Sequence, residues 1–378
     1  MMSKRLLFVV NSPAFFLSHR LPIASGAKQV GYEIHVATGS GSGVSEIKRS
    51  GFAYHPVTLS RSGKNPIAEV KALVRLYRLM RKVRPSIVHL VTIKPVLYGG
   101  IAARLSRVPS VVSAVSGLGS VFVSQGPAAR GMRVVVQALY KQAFAHPNIK
   151  AIFQNPDDRA ALLAFRAIER ERTVLIRGSG VKLADYPFVP EPPEPVVVSF
   201  AGRLLREKGI FEYVEAARII RERGFDACFR VIGDPDPGNP SSVGEDVLGR
   251  WRSEGLVELL GFREDIPSLF SSSHVVVLPS YREGLPKSLV EAAAAGRAVV
   301  TTDVPGCRDA IEPDKSGLLV PVKDPPALAD AIQRLIENPG LRRDLGAAGR
   351  ILAEKEFGID KIVDAHLQVY AGLEARAT

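Results

Sequence analysis

The stretch Tyr186-Pro187-Phe188-Val189-Pro190-Glu191-Pro192-Pro193-Glu194-Pro195-Val196-Val197-Val198-Ser199-Phe200-Ala201-Gly202-Arg203-Leu204-Leu205-Arg206-Glu207-Lys208-Gly209 decides how the chain is organised. Its first ten residues carry five prolines. Proline fixes φ and lacks a backbone donor, so this segment fits neither a helix interior nor a central strand, and it marks a domain boundary. The apolar run Val196–Ala201 then reads as a buried strand, and Gly202–Gly209 as the turn that delivers the chain into a helix over Phe211–Arg223.

Working outward, the same alternation recurs on both sides. Leu6–Val10, Glu33–Ala37, Ile87–Val91, Ser110–Val115 and Ala151–Gln154 read as strands before the boundary. Val196–Ala201, Cys228–Ile232, Val257–Leu260, Val275–Leu278 and Ala298–Thr302 read as strands after it. Helical patterns such as Asn65–Val83, Leu285–Ala295 and Pro326–Glu337 fall between them. Short apolar strands alternating with amphipathic helices give parallel sheets covered on both faces. The expectation is an α/β chain of two doubly wound domains, with a ligand between them beyond the carboxyl ends of the strands. A length of 378 residues agrees with two domains at ~100–200 residues each. The run Gly39-Ser40-Gly41-Ser42-Gly43 has the wrong spacing for a dinucleotide fingerprint and reads as a loop.

Composition excludes several classes. With 46% hydrophobic and 23% charged residues the chain is globular rather than disordered. Two cysteines, Cys228 and Cys307, make neither a disulfide framework nor a zinc spacing, which fits a reducing compartment. No apolar run approaches the ~18 residues needed to cross a bilayer. Leu6–Val10 is too short for a signal peptide core, and Asn11-Ser12-Pro13 ends it without a cleavage site.

Charge is divided unevenly. Residues 1–195 hold 27 basic and 10 acidic side chains, whereas 196–378 hold 23 and 28, so a net charge of +12 conceals a basic first half. Such a half would face an anionic partner: a membrane surface, a phosphorylated lipid or nucleic acid. Lys71, Arg75, Arg78 and Lys82 share one helical face and Leu73, Leu76, Tyr77 and Met80 the other, which predicts a basic amphipathic helix.

Three constellations in the second half carry chemistry. In Gly202–Gly209, Arg203 and Lys208 flank a strand-to-helix turn, where two cations and free backbone N–H groups suit a diphosphate. In Pro279-Ser280-Tyr281-Arg282-Glu283-Gly284-Leu285-Pro286-Lys287-Ser288-Leu289-Val290-Glu291-Ala292, Glu283 sits in the turn and Gly284 admits close approach of backbone. Glu291 follows Val290 and precedes four alanines, so its carboxylate needs a partner such as ribose hydroxyls. The third, Gly296–Asp309, is a strand and a Gly-containing turn at the same end.

On these residues the chain resembles the retaining glycosyltransferases of family 4. The resemblance rests on the E-x7-E pair Glu283/Glu291, the G-R-x-x-x-x-K-G element of Arg203 and Lys208, the turn Thr302-Asp303-Val304-Pro305-Gly306 and the closing run Gly317–Pro321. It implies the GT-B architecture of two Rossmann-like domains. Residues 1–186 would form a basic, membrane-facing acceptor domain, 187–195 a linker, 196–356 the nucleotide-sugar domain, and 357–378 a tail crossing back to the first. In the first half Phe15–Pro22, His89 with Lys94-Pro95, Gly117–Phe122 and Phe153–Asp158 resemble the branch that builds bacterial surface polysaccharides and glycan-lipid intermediates. The implied reaction moves a hexose or N-acetylhexosamine from a nucleoside-diphosphate sugar, UDP-linked, to a polyprenyl-diphosphate-linked or other glycan. The implied location is cytoplasmic, peripheral on the inner face of the membrane.

The resemblance also implies roles. Arg203 and Lys208 would hold the diphosphate with Gly202. Glu283, Gly284, Leu285 and Pro286 would face the donor sugar, and Glu291 the ribose. Phe262 and Arg263 would lie near the base, and His19, Lys94, Gly117, Leu118 and Gly119 would line the acceptor side. The catalytic set would be Glu283, Arg203, Lys208 and His19, with no metal and no other cofactor. The chain departs from the pattern where relatives carry a T-x-H-G turn, for it reads Ala114-Val115-Ser116-Gly117, and it has Asp309 and Lys182 where relatives often have Glu and Asp.

Rival readings are a UDP-sugar 2-epimerase of the same architecture and a phosphate-backbone nucleic-acid binder. The second lacks clustered aromatics for base stacking. Asp234-Pro235-Asp236 could hold a divalent cation, but it lies in a proline-rich turn and the two cations make a metal unnecessary.

Overall fold

The computed structural model describes residues 4–59, 66–118 and 126–377. The chain divides into two units, Met1–Ser179 with Asp360–Thr378, and Gly180–Ile359.

The first unit carries β1 (Lys4–Val9), β2 (Tyr32–Thr38), β3 (Ala53–Pro56), β4 (Ile87–Val91), β5 (Ser110–Val115), β6 (Ile149–Phe153) and β7 (Thr173–Leu175). Their order is β3-β2-β1-β4-β5-β6-β7, with every pair parallel. The second carries β8 (Val196–Ala201), β9 (Ala227–Ile232), β10 (Glu258–Gly261), β11 (Val275–Leu278), β12 (Ala298–Thr302) and β13 (Gly317–Val320). Their order is β10-β9-β8-β11-β12-β13, again all parallel. In each sheet the order reverses beside the first strand, at β1/β4 and β8/β11, and the carboxyl edge there is the ligand side of such a sheet.

Burial explains the strands. β4, β5, β8, β11 and β12 are buried along their whole length, so both pleat faces are apolar and covered by helices. The helix Ile359–Glu374 sends Ile362, Tyr370 and Leu373 into the apolar cluster built on Leu6 and Phe8 of β1.

The contacts add detail to two expectations. The proline-rich segment Tyr186–Pro195 is tied down within the second unit. Buried Arg342 forks onto Glu191 at 3.0 Å, Arg350 donates to Tyr186 O at 2.6 Å, and the His274 imidazole lies 3.0 Å from Pro192 O. Proline supplies no donors of its own, so side chains of the second unit satisfy the exposed carbonyls and fasten the strap to that unit. In the basic helix, Pro66–Val83, Leu76 and Met80 of the expected apolar face are buried and Leu73 half-buried, but Tyr77 is exposed. Ala72, Leu76, Met80 and Val83 face the core, whereas Ile67, Val70, Val74 and Tyr77 are exposed beside the cations.

Candidate active site

At the carboxyl edge of the second sheet the backbone is stitched into one platform. The Gly202 N–H donates to Ile232 O at 2.9 Å, and the Gly233 N–H to Gly261 O at 2.8 Å. The turns after β8, β9 and β10 therefore meet. Gly209 has φ +75, and a Cβ there would lie 2.1 Å from Pro279 O, so only glycine lets the turn after β8 pack on the turn after β11. Gly306 has φ +83, and a Cβ would fall 2.5 Å from Glu283 O. The Tyr281 N–H donates to Glu207 O and the Glu283 N–H to Pro305 O. All three constellations singled out in the sequence thus converge.

Each cation holds a carboxylate. Lys208 Nζ makes a short ion pair with Glu283 Oε1, which also accepts from Ser280 Oγ at 2.8 Å. Both partners are largely buried. Arg203 Nη1 donates to Asp236 Oδ2 at 2.6 Å, from a guanidinium that is about half exposed. Asp236, weighed above as a metal ligand, is the counter-ion of Arg203. No group of three or more potential metal ligands occurs among the described residues.

Glu291 lies on the helix Lys287–Ala294 and is buried, as its apolar neighbours require. Its carboxylate is satisfied within the protein. Lys287 Nζ stands 3.2 Å away, and the Tyr186 phenol hydrogen-bonds to it, with burial and that carboxylate pushing the phenol pKa up. Ribose hydroxyls would join existing partners rather than fill a vacancy. Gly284, Leu285 and Pro286 are buried beneath the turn. Phe262 is 70% exposed next to the Gly261 platform, while Arg263 is forked onto Asp265 at 2.8 and 2.6 Å. The fork ties Arg263 to its own loop. Buried Cys307 has its thiol raised to about 12, chiefly by burial and then by the nearby Glu283 charge, which keeps it protonated and inert.

In the first unit His19 ends the helix Pro13–His19, with its ring 4.1 Å from that of Phe15 and its Nδ1 2.6 Å from Ser18 Oγ. Gly117, at φ +111, and buried Leu118 follow β5. Lys94 follows β4 and is paired with Glu69 of the basic helix. Gly119 lies outside the described residues. Arg20 connects two of these places, donating to His19 O at 2.9 Å and to Ser116 Oγ at 3.4 Å. The sequence reading missed Arg20, Asp236, Ser280, Tyr186 and Lys287 as partners. Asp236 and Lys287 stood in quoted motifs, but only the tertiary contacts reveal their pairing.

Two parallel sheets with ligand edges at their reversal points, one lined by cations beside glycine turns, define a nucleotide-sugar type of α/β enzyme. Comparison with known proteins agrees. A model described as "Glycosyl transferase 4-like" matches residues 5–153, and one described as "Glycosyl transferases group 1" matches residues 195–338. The chain belongs to the family 4 glycosyltransferases. It is 28% identical over 90% of its length to the Campylobacter jejuni N,N'-diacetylbacillosaminyl-diphospho-undecaprenol alpha-1,3-N-acetylgalactosaminyltransferase, covering 92% of that protein. It is 26% identical to the Escherichia coli UDP-Gal:alpha-D-GlcNAc-diphosphoundecaprenol alpha-1,3-galactosyltransferase, over 72% of each chain. A glycosyltransferase from Rickettsia africae superposes with a TM-score of 0.78 at 17% identity over 99% of each chain. Anabaena HepE in complex with UDP and glucose superposes at 0.76 and 18% identity, over 97% of this chain and 99% of that one. The shared fold is GT-B.

Proposed function

We propose that this glycosyltransferase moves a hexose or N-acetylhexosamine from a UDP-sugar to a polyprenyl-diphosphate-linked glycan, with retention and at an anionic membrane surface. The observation that carries the donor half is the pair of cation–carboxylate couples, Lys208–Glu283 and Arg203–Asp236, on a platform where Gly202, Gly233 and Gly261 bring backbone close. In the free protein these couples keep both cations in place without a net charge. A bound diphosphate competes with the carboxylates, and the half-exposed Arg203 has the freedom to exchange. Departure of the nucleotide adds negative charge to the phosphate. A fixed Lys208 then gains in the transition state, where electrostatic stabilisation lowers the barrier. Glu283 Oε1 is already engaged by Lys208 and Ser280. This favours a positioning role over a nucleophilic one, with attack from the face that the leaving group vacates. Phe262 supplies an exposed aromatic surface for the base, and Glu291 a carboxylate for the ribose.

The acceptor half is supported by the names of the Campylobacter and Escherichia relatives, both of which specify a diphosphoundecaprenol-linked sugar. The membrane half is supported by charge and exposure. From Val70 to Pro156 the chain has 13 Lys and Arg and no Asp or Glu. Val70, Val74, Tyr77, Leu105, Met132, Val134 and Val135 are exposed in the same region. Apolar tips among cations suit the interface of an anionic leaflet.

The test is transfer of radiolabel from a panel of UDP-hexoses into a lipid extract by wild type, Lys208→Met and Glu291→Gln. The reading expects wild-type transfer that both substitutions reduce at least tenfold. Undiminished transfer in both rejects the site, and turnover of the UDP-sugar without any acceptor points to an epimerase instead.

A further inference from the structure

Three arginines are buried among the described residues, and one differs from the others in its surroundings. Arg342 is neutralised by Glu191 and Glu194, and Arg297 donates to the carbonyls of Phe270 and Ser271 beside Glu191. Arg20 is 2% exposed, and its neighbours are neutral: the His19 carbonyl, Ser116 Oγ, the Tyr370 phenol and the rings of His89 and His366. No carboxylate pairs with it among the described residues, and its Nε has no partner. Burial lowers its pKa only to about 10, so the guanidinium keeps its charge at neutral pH. An uncompensated buried charge is expensive, and its field is poorly screened.

Its position gives that field a target. Arg20 joins the end of one helix to the loop after β5, at the carboxyl edge of the first sheet. On the neighbouring strands, Asn11 follows β1 and Thr92 follows β4. Asn11 Oδ1 and Thr92 Oγ1 are both buried without a partner. Thr92 is held at φ +74, a left-handed conformation costly for a β-branched residue. An orphan cation and two orphan acceptors at the ends of neighbouring strands of one sheet edge complement a ligand that brings both negative charge and hydroxyl donors.

We propose that Arg20 is a positioning residue that makes this edge select an acceptor bearing a phosphate or diphosphate, with Asn11 and Thr92 at the ends of the neighbouring strands for sugar hydroxyls. The proposal rests on the reading of the first unit as the acceptor side. Arg20 acts by holding His19 and the Ser116–Leu118 loop in place and by lending the site its unneutralised charge.

Calorimetric binding of two probes to the full chain tests this without requiring turnover. One is an N-acetylglucosaminyl citronellyl diphosphate, the other a neutral octyl N-acetylglucosaminide. Wild type should prefer the diphosphate at least tenfold. Arg20→Lys should keep most of that preference, and Arg20→Gln should reduce it below threefold with little change for the neutral probe. Equal or no binding of the two probes by wild type overturns the proposal. So does a preference that survives in Arg20→Gln, or an equal loss of both probes, which marks a packing role. Arg20→Met serves as a second neutral variant. If neither neutral variant folds while Arg20→Lys does, the charge serves folding and the proposal fails. Absence of transfer from every UDP-hexose, with the binding preference intact, would reject the proposed reaction and leave the anion selectivity standing.

Discussion

Replacing Lys208 by methionine separates what this cation does for the fold from what it does for the reaction. Lys208 and Glu283 keep only 19% and 14% of their side-chain surface exposed. Removing the ammonium leaves the Glu283 carboxylate without its cation while Ser280 still donates to it, a loss of about 2 kcal/mol for a partly buried couple. In a unit of this size that lowers the melting temperature by roughly 4–8 °C. Loss of one preorganised contact to the departing diphosphate costs a further ~3 kcal/mol in the transition state, or about a hundredfold in kcat/KM. The double variant Lys208→Met/Glu283→Gln removes the stranded charge. It should regain most of the melting temperature while kcat/KM stays at least a hundredfold down. Glu283→Gln alone, which frees Lys208 from its competitor, should bind UDP at least as tightly as wild type. Scanning calorimetry, UDP titration and initial rates on the four proteins complete the cycle. A double variant whose kcat/KM returns to within tenfold of wild type would refute the assignment of Lys208 to the diphosphate.

Gly209→Ala should destabilise the second unit by about 3 kcal/mol, because a side chain at φ +75 is strained and its Cβ would sit 2.1 Å from Pro279 O; denaturant unfolding measures it. Acid should destabilise the first unit through His366, whose pKa burial depresses to about 3. The folded state prefers the neutral ring, so the unfolded chain binds more protons below about 6.5, and stability present above that pH is lost as the pH falls towards 3. His366→Phe should therefore remove about 2 kcal/mol of the difference in unfolding free energy between pH 7 and pH 5. Sedimentation with anionic vesicles should be strong at low salt. Converting Lys71, Arg75, Arg78 and Lys82 to Gln should weaken it by roughly three orders of magnitude, at ~1 kcal/mol per cation; unchanged sedimentation of that variant would remove the basic helix from the membrane contact.

The buried interior of the fold is legible because it is written in apolar runs. The strands Ile87–Val91, Ser110–Val115, Val196–Ala201, Val275–Leu278 and Ala298–Thr302 have the same bounds in sequence and structure. What escapes the sequence reading lies at the sheet margins. Ala53–Pro56 and Thr173–Leu175 are the two edges of the first sheet, short and half-exposed, and Gly317–Val320 is a four-residue edge of the second. The two half-exposed edges of the first sheet need neither an apolar run nor strict alternation, since their partner strand supplies the pairing, whereas Gly317–Val320 is a buried apolar run too short to be told from a turn. In the basic helix Leu76 and Met80 lie on the expected face and Tyr77 does not, for a related reason. A stripe of Ile67, Val70, Val74 and Tyr77 sits one helical step from the buried stripe, and periodicity alone does not say which of two adjacent stripes is covered.

The site divides in the same way. Arg203, Lys208, Glu283 and Glu291 stand out because charges and glycines after buried strands have little structural reason to be there. Their counter-ions do not stand out. Asp236 reads as part of a possible metal-binding D-x-D, Ser280 as one residue of the glycine turn and Tyr186 as part of a proline strap, yet each satisfies a charged group of the site. These partners bear on how the enzyme keeps a cationic site in the absence of donor. Two unneutralised cations on one platform would repel each other and invite any passing anion. Carboxylates of matched number suppress both effects, and they set a threshold that a ligand must exceed. On the proposed donor site a monoanion would gain little by displacing Asp236 or Glu283, whereas a diphosphate would engage both cations at once and add charge as its sugar leaves. The carboxylates would then favour a diphosphate over a simple phosphate. If so, neutralising them with Asp236→Asn and Glu283→Gln should raise affinity for inorganic phosphate more than for UDP, and an equal gain for both would show that the pairs hold the cations without selecting the ligand.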